Sequence, residues 1–142
     1  MKSLNVKRVL IAASIAYLIG VSAFLASFFV PVMADPKVQG NLVLSVVIIP
    51  ASILGAYYYY RKGHHANGFL LGASMFLITM ILDALITVPL FVIPAGGDHI
   101  SFFSDPFFWL IGLEYILAVA LFRWFNKNAT QGISPRTLNS RQ

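Results

Sequence analysis

Four long apolar runs, at about 9–30, 42–60, 69–93 and 107–122, decide what this chain can fold into. Crossing the hydrocarbon of a bilayer takes about 20 apolar residues in a helix, because the core is ~30 Å thick and each residue rises ~1.5 Å. A single run of this kind also suits a buried helix of a soluble protein, but four in succession with short linkers do not. Composition agrees: 58% of the 142 residues are hydrophobic and 11% charged, where a soluble domain carries about 25% charged. The expectation is an all-α polytopic membrane protein, a four-transmembrane-helix antiparallel bundle over residues 1–125. Residues 126–142, with Gly132, Pro135 and several Ser, Thr and Asn, read as a flexible cytoplasmic tail.

Charge orients the spans. Lys2, Lys7 and Arg8 precede the first run, Arg61 and Lys62 separate the second from the third, and Arg123, Lys127, Arg136 and Arg141 follow the fourth. The other two linkers hold Lys37 with Asp35, Asp98 and Asp105. Basic residues gather on the cytoplasmic side of membranes, so both termini are expected inside, in a bacterial inner membrane. The aromatic series Tyr57 to Tyr60 before Arg61, and Trp124 after Arg123, mark the inner headgroup level, and Phe107, Phe108 and Trp109 the outer one. Val32, Met33 and Ala34 look like a signal-peptide cleavage site. The preceding apolar stretch is longer than the 7–15 residues of a signal h-region, which favours an uncleaved span.

The same charge count argues against nucleic acid as a partner, since no basic stripe with interleaved aromatics occurs. There is no cysteine, so disulfides, thiolate metal sites and thiol chemistry are excluded. No phosphate-cradling Gly loop, nucleophile elbow or HExxH is present, so neither an enzyme, a cofactor nor a metal centre is expected. His64 and His65 read as a solvated turn, and Asp98, His99, Ser101, Ser104 and Asp105 as a polar outer loop.

In lipid, spans associate through small residues and hydrogen bonds. Ala12, Ala16 and Gly20 recur every four residues, Ala51 pairs with Gly55, and Gly68 with Gly72. These stripes suit packing within the chain, or alternatively a homodimer face or another membrane protein's helix. Pro50 and Pro89 are expected to bend their helices.

Asp83 and Glu114 are the exceptional residues. Asp83 lies ~15 Å below the outer end of its span and Glu114 ~10 Å below its own, at similar depth on consecutive antiparallel helices. Each span lacks Lys, Arg and His, and Arg123 lies roughly 13 Å along the axis from Glu114. The carboxyls must be met by protons, a cation, water or hydroxyl donors. Thr79 and Thr87, at i−4 and i+4 from Asp83, form a polar stripe with it, and Tyr17, Ser14, Ser45 and Ser52 are further hydroxyls for the same interior. If the acids face each other, repulsion favours one proton held between them. The functional expectation is a proton or cation site in a transport-like role; the alternative is a membrane subunit or interaction protein whose acids only clamp the helices.

Gly68 to Gly72, then Ile81-Leu82-Asp83 with Val88-Pro89-Leu90, resemble a bacterial family of small four-span membrane proteins of unknown function. The similarity runs from about Gly68 to Arg123. It implies four helices and no catalytic assignment. The small multidrug transporters also have four spans but carry a Glu in the first, where this chain has no acid.

Overall fold

The computed structural model describes residues 4–131, and every regular element among them is helical. Helix α1 spans Val6–Ser27, α2 Pro36–Tyr60 and α3 Gly68–Leu82; α3 runs on without a break into a π-helical segment, Asp83–Val92. A short α4, His99–Phe103, precedes α5, Pro106–Gln131. Four stretches are long and apolar enough to cross a membrane: Val6–Ser27, Pro36–Tyr60, Gly68–Val92 and Pro106–Lys127.

Side-chain caps set where the helices start. Asn5 accepts from Arg8 N at 3.3 Å, and Asn67 from Phe69 N at 2.9 Å. Asp35 accepts from Lys37 N and Val38 N at 2.9 and 3.4 Å. With Pro36 in the first turn, this cap starts α2 six residues before the apolar run. At the other end of the chain, the tail expected from residue 126 is instead helical up to Gln131. No Gly or Pro interrupts the sequence between Gly112 and Gly132, so nothing in it stops the winding sooner. Residues 132–142 lie outside the described residues.

The two internal prolines behave differently. Pro50 sits within α2, which stays a single α-helix. Pro89 lies in the segment where the winding loosens to i→i+5 bonds; Ile93 N donates to Val88 O at 2.9 Å in this manner. Proline has no N–H to give the carbonyl five residues back, that of Ala84. His99 Nε2 lies 3.0 Å from this oxygen and donates to it, tying α4 to the π-helical segment.

Small residues bring the helices together, as their spacing suggested. A Cβ on Gly55 would stand 2.6 Å from the Ala12 carbonyl oxygen, and one on Gly68 2.9 Å from Ala120 Cα. Gly72 meets Ile116 in the same way, while Phe76 covers Gly112. Contacts run from α1 to α2, α2 to α5, α5 to α3 and α3 back to α1. Ala12, Ala16, Ala51 and Gly55 are buried against this chain's own helices. The fully buried large side chains are Tyr59, Tyr115, Leu71, Met75, Val88 and Val119. Leu18, Val46, Leu77, Leu85 and Leu113 point outward, as apolar residues do on a lipid-facing surface.

Polar contacts lock both ends. Arg8 donates through Nε to Tyr59 O at 3.3 Å and through Nη2 to Tyr58 O, with its guanidinium 4.6 Å from the Tyr58 ring centre. A cation thus meets carbonyls that the last turn of α2 leaves unpaired. Arg123 sits 4.7 Å from the Tyr60 ring centre at the same end. At the opposite end the buried Gln39 uses all four hydrogen-bonding positions of its amide. Its nitrogen donates to Ser27 O and Val30 O, both at 2.7 Å, and its oxygen accepts from Val32 N and Met33 N at 2.9 and 2.8 Å. The α1–α2 turn is therefore built around one side chain.

Candidate functional site

The two acids of the spans have separate partners. Asp83 opens the π-helical segment, and its Oδ1 accepts from Thr87 Oγ1 at 2.8 Å. Thr87 Oγ1 lies 2.8 Å from the Tyr17 hydroxyl of α1. Because Thr87 gives its proton to the carboxylate, Tyr17 donates to Thr87, and a relay Tyr17–Thr87–Asp83 crosses from α1 to the third span. Glu114 instead turns to α2, where Ser45 Oγ lies 2.9 and 2.7 Å from its two carboxylate oxygens.

The arrangement in which the two carboxyls face each other is therefore not formed. The reason is rotational: consecutive helical residues point ~100° apart. Tyr115 is buried within the helices, its ring 6.0 Å from that of Phe76, which leaves Glu114 directed to the α2 side of α5. The i, i+4 pairing of Asp83 with Thr87 holds, whereas Thr79 returns its hydroxyl to its own helix, donating to Met75 O at 3.0 Å. Ser14 and Ser52 likewise bond their own backbones, at Leu10 O and Ile49 O.

Asp83 faces a cavity of about 690 Å³, within the ~300–1,000 Å³ range of small-molecule sites. Its inner end is formed by Ala16, Thr79, Ile111 and Tyr115, and its mouth by Asp35, Lys37, Ser101 and Asp105 of the linkers. The lining extends from Ala16 of α1 to Phe28, the residue that caps its end, over roughly 18 Å. Glu114 is not part of the lining. At the mouth Lys37 Nζ pairs with Asp105 Oδ2 at 3.1 Å.

Tyr115 completes the site, and its part was not read from the sequence. It lines the cavity, yet its buried hydroxyl has no hydrogen-bond partner among the described residues. Thr79, beside it, has committed its own proton to Met75 O. A buried hydroxyl left in this way carries a desolvation cost unless something in the cavity meets it. Adjacency to Glu114 in sequence concealed this, because neighbours on a helix face different ways.

The other candidate clusters have structural partners. His64 packs on Tyr59 with ring centres 5.7 Å apart, and His65 Nδ1 lies 3.4 Å from Arg123 Nη2. In the outer loop Asp98 and Ser101 form a reciprocal cap on α4. The backbone and side-chain hydrogen bonds from Ser101 hold the Asp98 carboxyl below its ordinary value of 3.8. Among the described residues no three His, Cys, Asp or Glu side chains come together as a metal site.

The site thus consists of one hydroxyl-supported carboxyl on the wall of an aromatic cavity, with a second carboxyl turned away from it to bridge two helices. No family model, curated protein or solved structure matches the chain.

Proposed function

We propose that this chain is a non-enzymatic four-span protein of the bacterial inner membrane, an antiparallel helix bundle with both termini cytoplasmic. In this reading Asp83 takes a proton or a cation from the cavity in a transport-like role. The observation that carries the proposal is that Asp83 lines the cavity, held by the Thr87 hydroxyl and, among the described residues, by no basic partner. An ionisable group at that depth is costly in lipid, about 2.5–3.5 kcal/mol on insertion scales, and a polar cavity or an incoming cation offsets the cost. The gathering of Arg8 and Arg123 at one end and of Asp35 and Asp105 at the other supports the orientation.

The role divides between the two acids. Glu114, bonded to Ser45 across α2 and α5, acts as a clamp. That contact favours a second reading for this residue alone, in which its acid only fastens the bundle, as in a membrane subunit or interaction protein. Proteoliposomes with an entrapped pH dye and an imposed potential test the proposal. The wild-type chain and Glu114→Gln are expected to pass protons, and Asp83→Asn is expected to lose the flux while remaining folded. Equal flux in wild type and Asp83→Asn would overturn it.

A further inference from the structure

We propose that the cavity is a binding site for a lipophilic organic monocation, with Asp83 as its counter-charge; this names the ligand class of the carboxyl site proposed above and rests on that reading. Three properties of the lining decide the class. The first is charge: the lining holds three carboxylates, Asp35, Asp83 and Asp105, against the single ammonium of Lys37, and Lys37 is already paired with Asp105. The balance rejects anions, so a fatty acid or phosphate is excluded as the occupant.

The second property is the wall. Eight aromatic side chains line the cavity, among them Tyr17, Phe24, Phe76 and Phe108. Ring faces attract a cation and bury the apolar body that carries it. A hydrated inorganic cation is not served by such walls, because it needs several oxygen ligands. The third property is the inner end, where the buried Tyr115 hydroxyl has no hydrogen-bond partner among the described residues. An occupant, or the water accompanying it, supplies what this chain leaves unmet.

The geometry orders the contacts. A cation passing the acidic mouth meets aromatic walls and reaches Asp83 at the level of Tyr17 and Thr87. Thr87, itself held by Tyr17, donates to Oδ1, which leaves Oδ2 without a hydrogen bond among the described residues and free to face the ligand. Glu114 takes no part, being turned to Ser45.

Equilibrium dialysis on the full chain in detergent, with empty micelles as the blank, tests this. The probes are tetraphenylphosphonium and tetraphenylborate, which share a shape and differ in the sign of their charge. Saturable binding of the phosphonium alone is expected, weakened at least about tenfold by Asp83→Asn and unchanged in Glu114→Gln. Equal binding of the two ions, no binding of the phosphonium, or undiminished binding by a folded Asp83→Asn would each overturn the proposal. The comparison of ions needs only the wild-type chain, so it decides the matter even if Asp83→Asn does not fold. Failure here together with an Asp83-dependent proton flux would overturn the ligand class and leave the transport reading standing.

Discussion

Replacing Gly55 by Ala tests whether the close approach of α1 and α2 holds this fold together. The new Cβ would lie 2.6 Å from Ala12 O and 2.7 Å from Met75 Cε, where ordinary contact begins at 3.4 Å. The methionine tip can swing aside, but the carbonyl is backbone within a helix. The two helices must therefore part by up to about 0.8 Å at the crossing. Overpacking of this kind costs about 1–3 kcal/mol. Gly20→Ala is the internal control, because its Cβ would meet only the Leu44 Cδ1 tip at 3.2 Å and Ile48 Cδ1 at 3.5 Å. Both substitutions gain the same helix propensity, up to ~1 kcal/mol, so that contribution cancels in the difference. Unfolding in mixed micelles should then show Gly55→Ala less stable than Gly20→Ala by about 1–3 kcal/mol. Equal stabilities would refute the argument that backbone contact at Gly55 sets the spacing.

Further outcomes follow from the polar contacts. Gln39→Leu removes both donors and the acceptor of the α1–α2 turn, and thermal unfolding should show a loss of at least ~2 kcal/mol, with the turn protons exchanging faster. A double-mutant cycle of Ser45→Ala with Glu114→Gln should return a coupling of about 0.6–1.7 kcal/mol; additivity would remove the clamp. His99→Ala should destabilise the chain when Pro89 is present and much less beside Pro89→Ala, which restores an N–H for the Ala84 carbonyl. Because the folded-state pKa of Asp98 is lowered, its cap on α4 is complete above the ordinary value of 3.8 and is lost as pH falls below it. Protection of the Ser101 amide, taken from exchange followed by NMR and referred to the intrinsic rate at each pH, should fall over that interval and not near neutrality.

The spans were legible because length and apolarity are one-dimensional properties: a run either reaches across hydrocarbon or does not. The small-residue stripes were legible for a similar reason, since i, i+4 spacing alone puts Ala12 with Ala16 and Gly68 with Gly72 on one face. Thr87 was found beside Asp83 on the same ground. What spacing could not supply was the rotation of each helix about its axis, which turned Glu114 toward Ser45 and Tyr115 toward Phe76. The early start of α2 was hidden because Asp35 and Pro36 act through capping rather than hydropathy. The π-helical winding was only half visible: Pro89 announced a fault in the helix, but the histidine that covers the freed Ala84 carbonyl lies fifteen residues from that carbonyl, at the start of α4. No spacing or motif singles out Gln39, because its role depends on the shape of the turn that it organises.

The central claim is that Asp83 stands on a cavity wall reached from the Asp35 and Asp105 end, while Glu114 does not. The absence of native cysteine permits a direct measurement: single Asp83→Cys and Glu114→Cys chains in sealed vesicles, exposed to a membrane-impermeant cationic methanethiosulfonate from each side in turn. The account requires rapid modification at position 83 from the side bearing Asp35 and Asp105, with position 114 protected. Protection at 83, or equal rates at both positions, would contradict it.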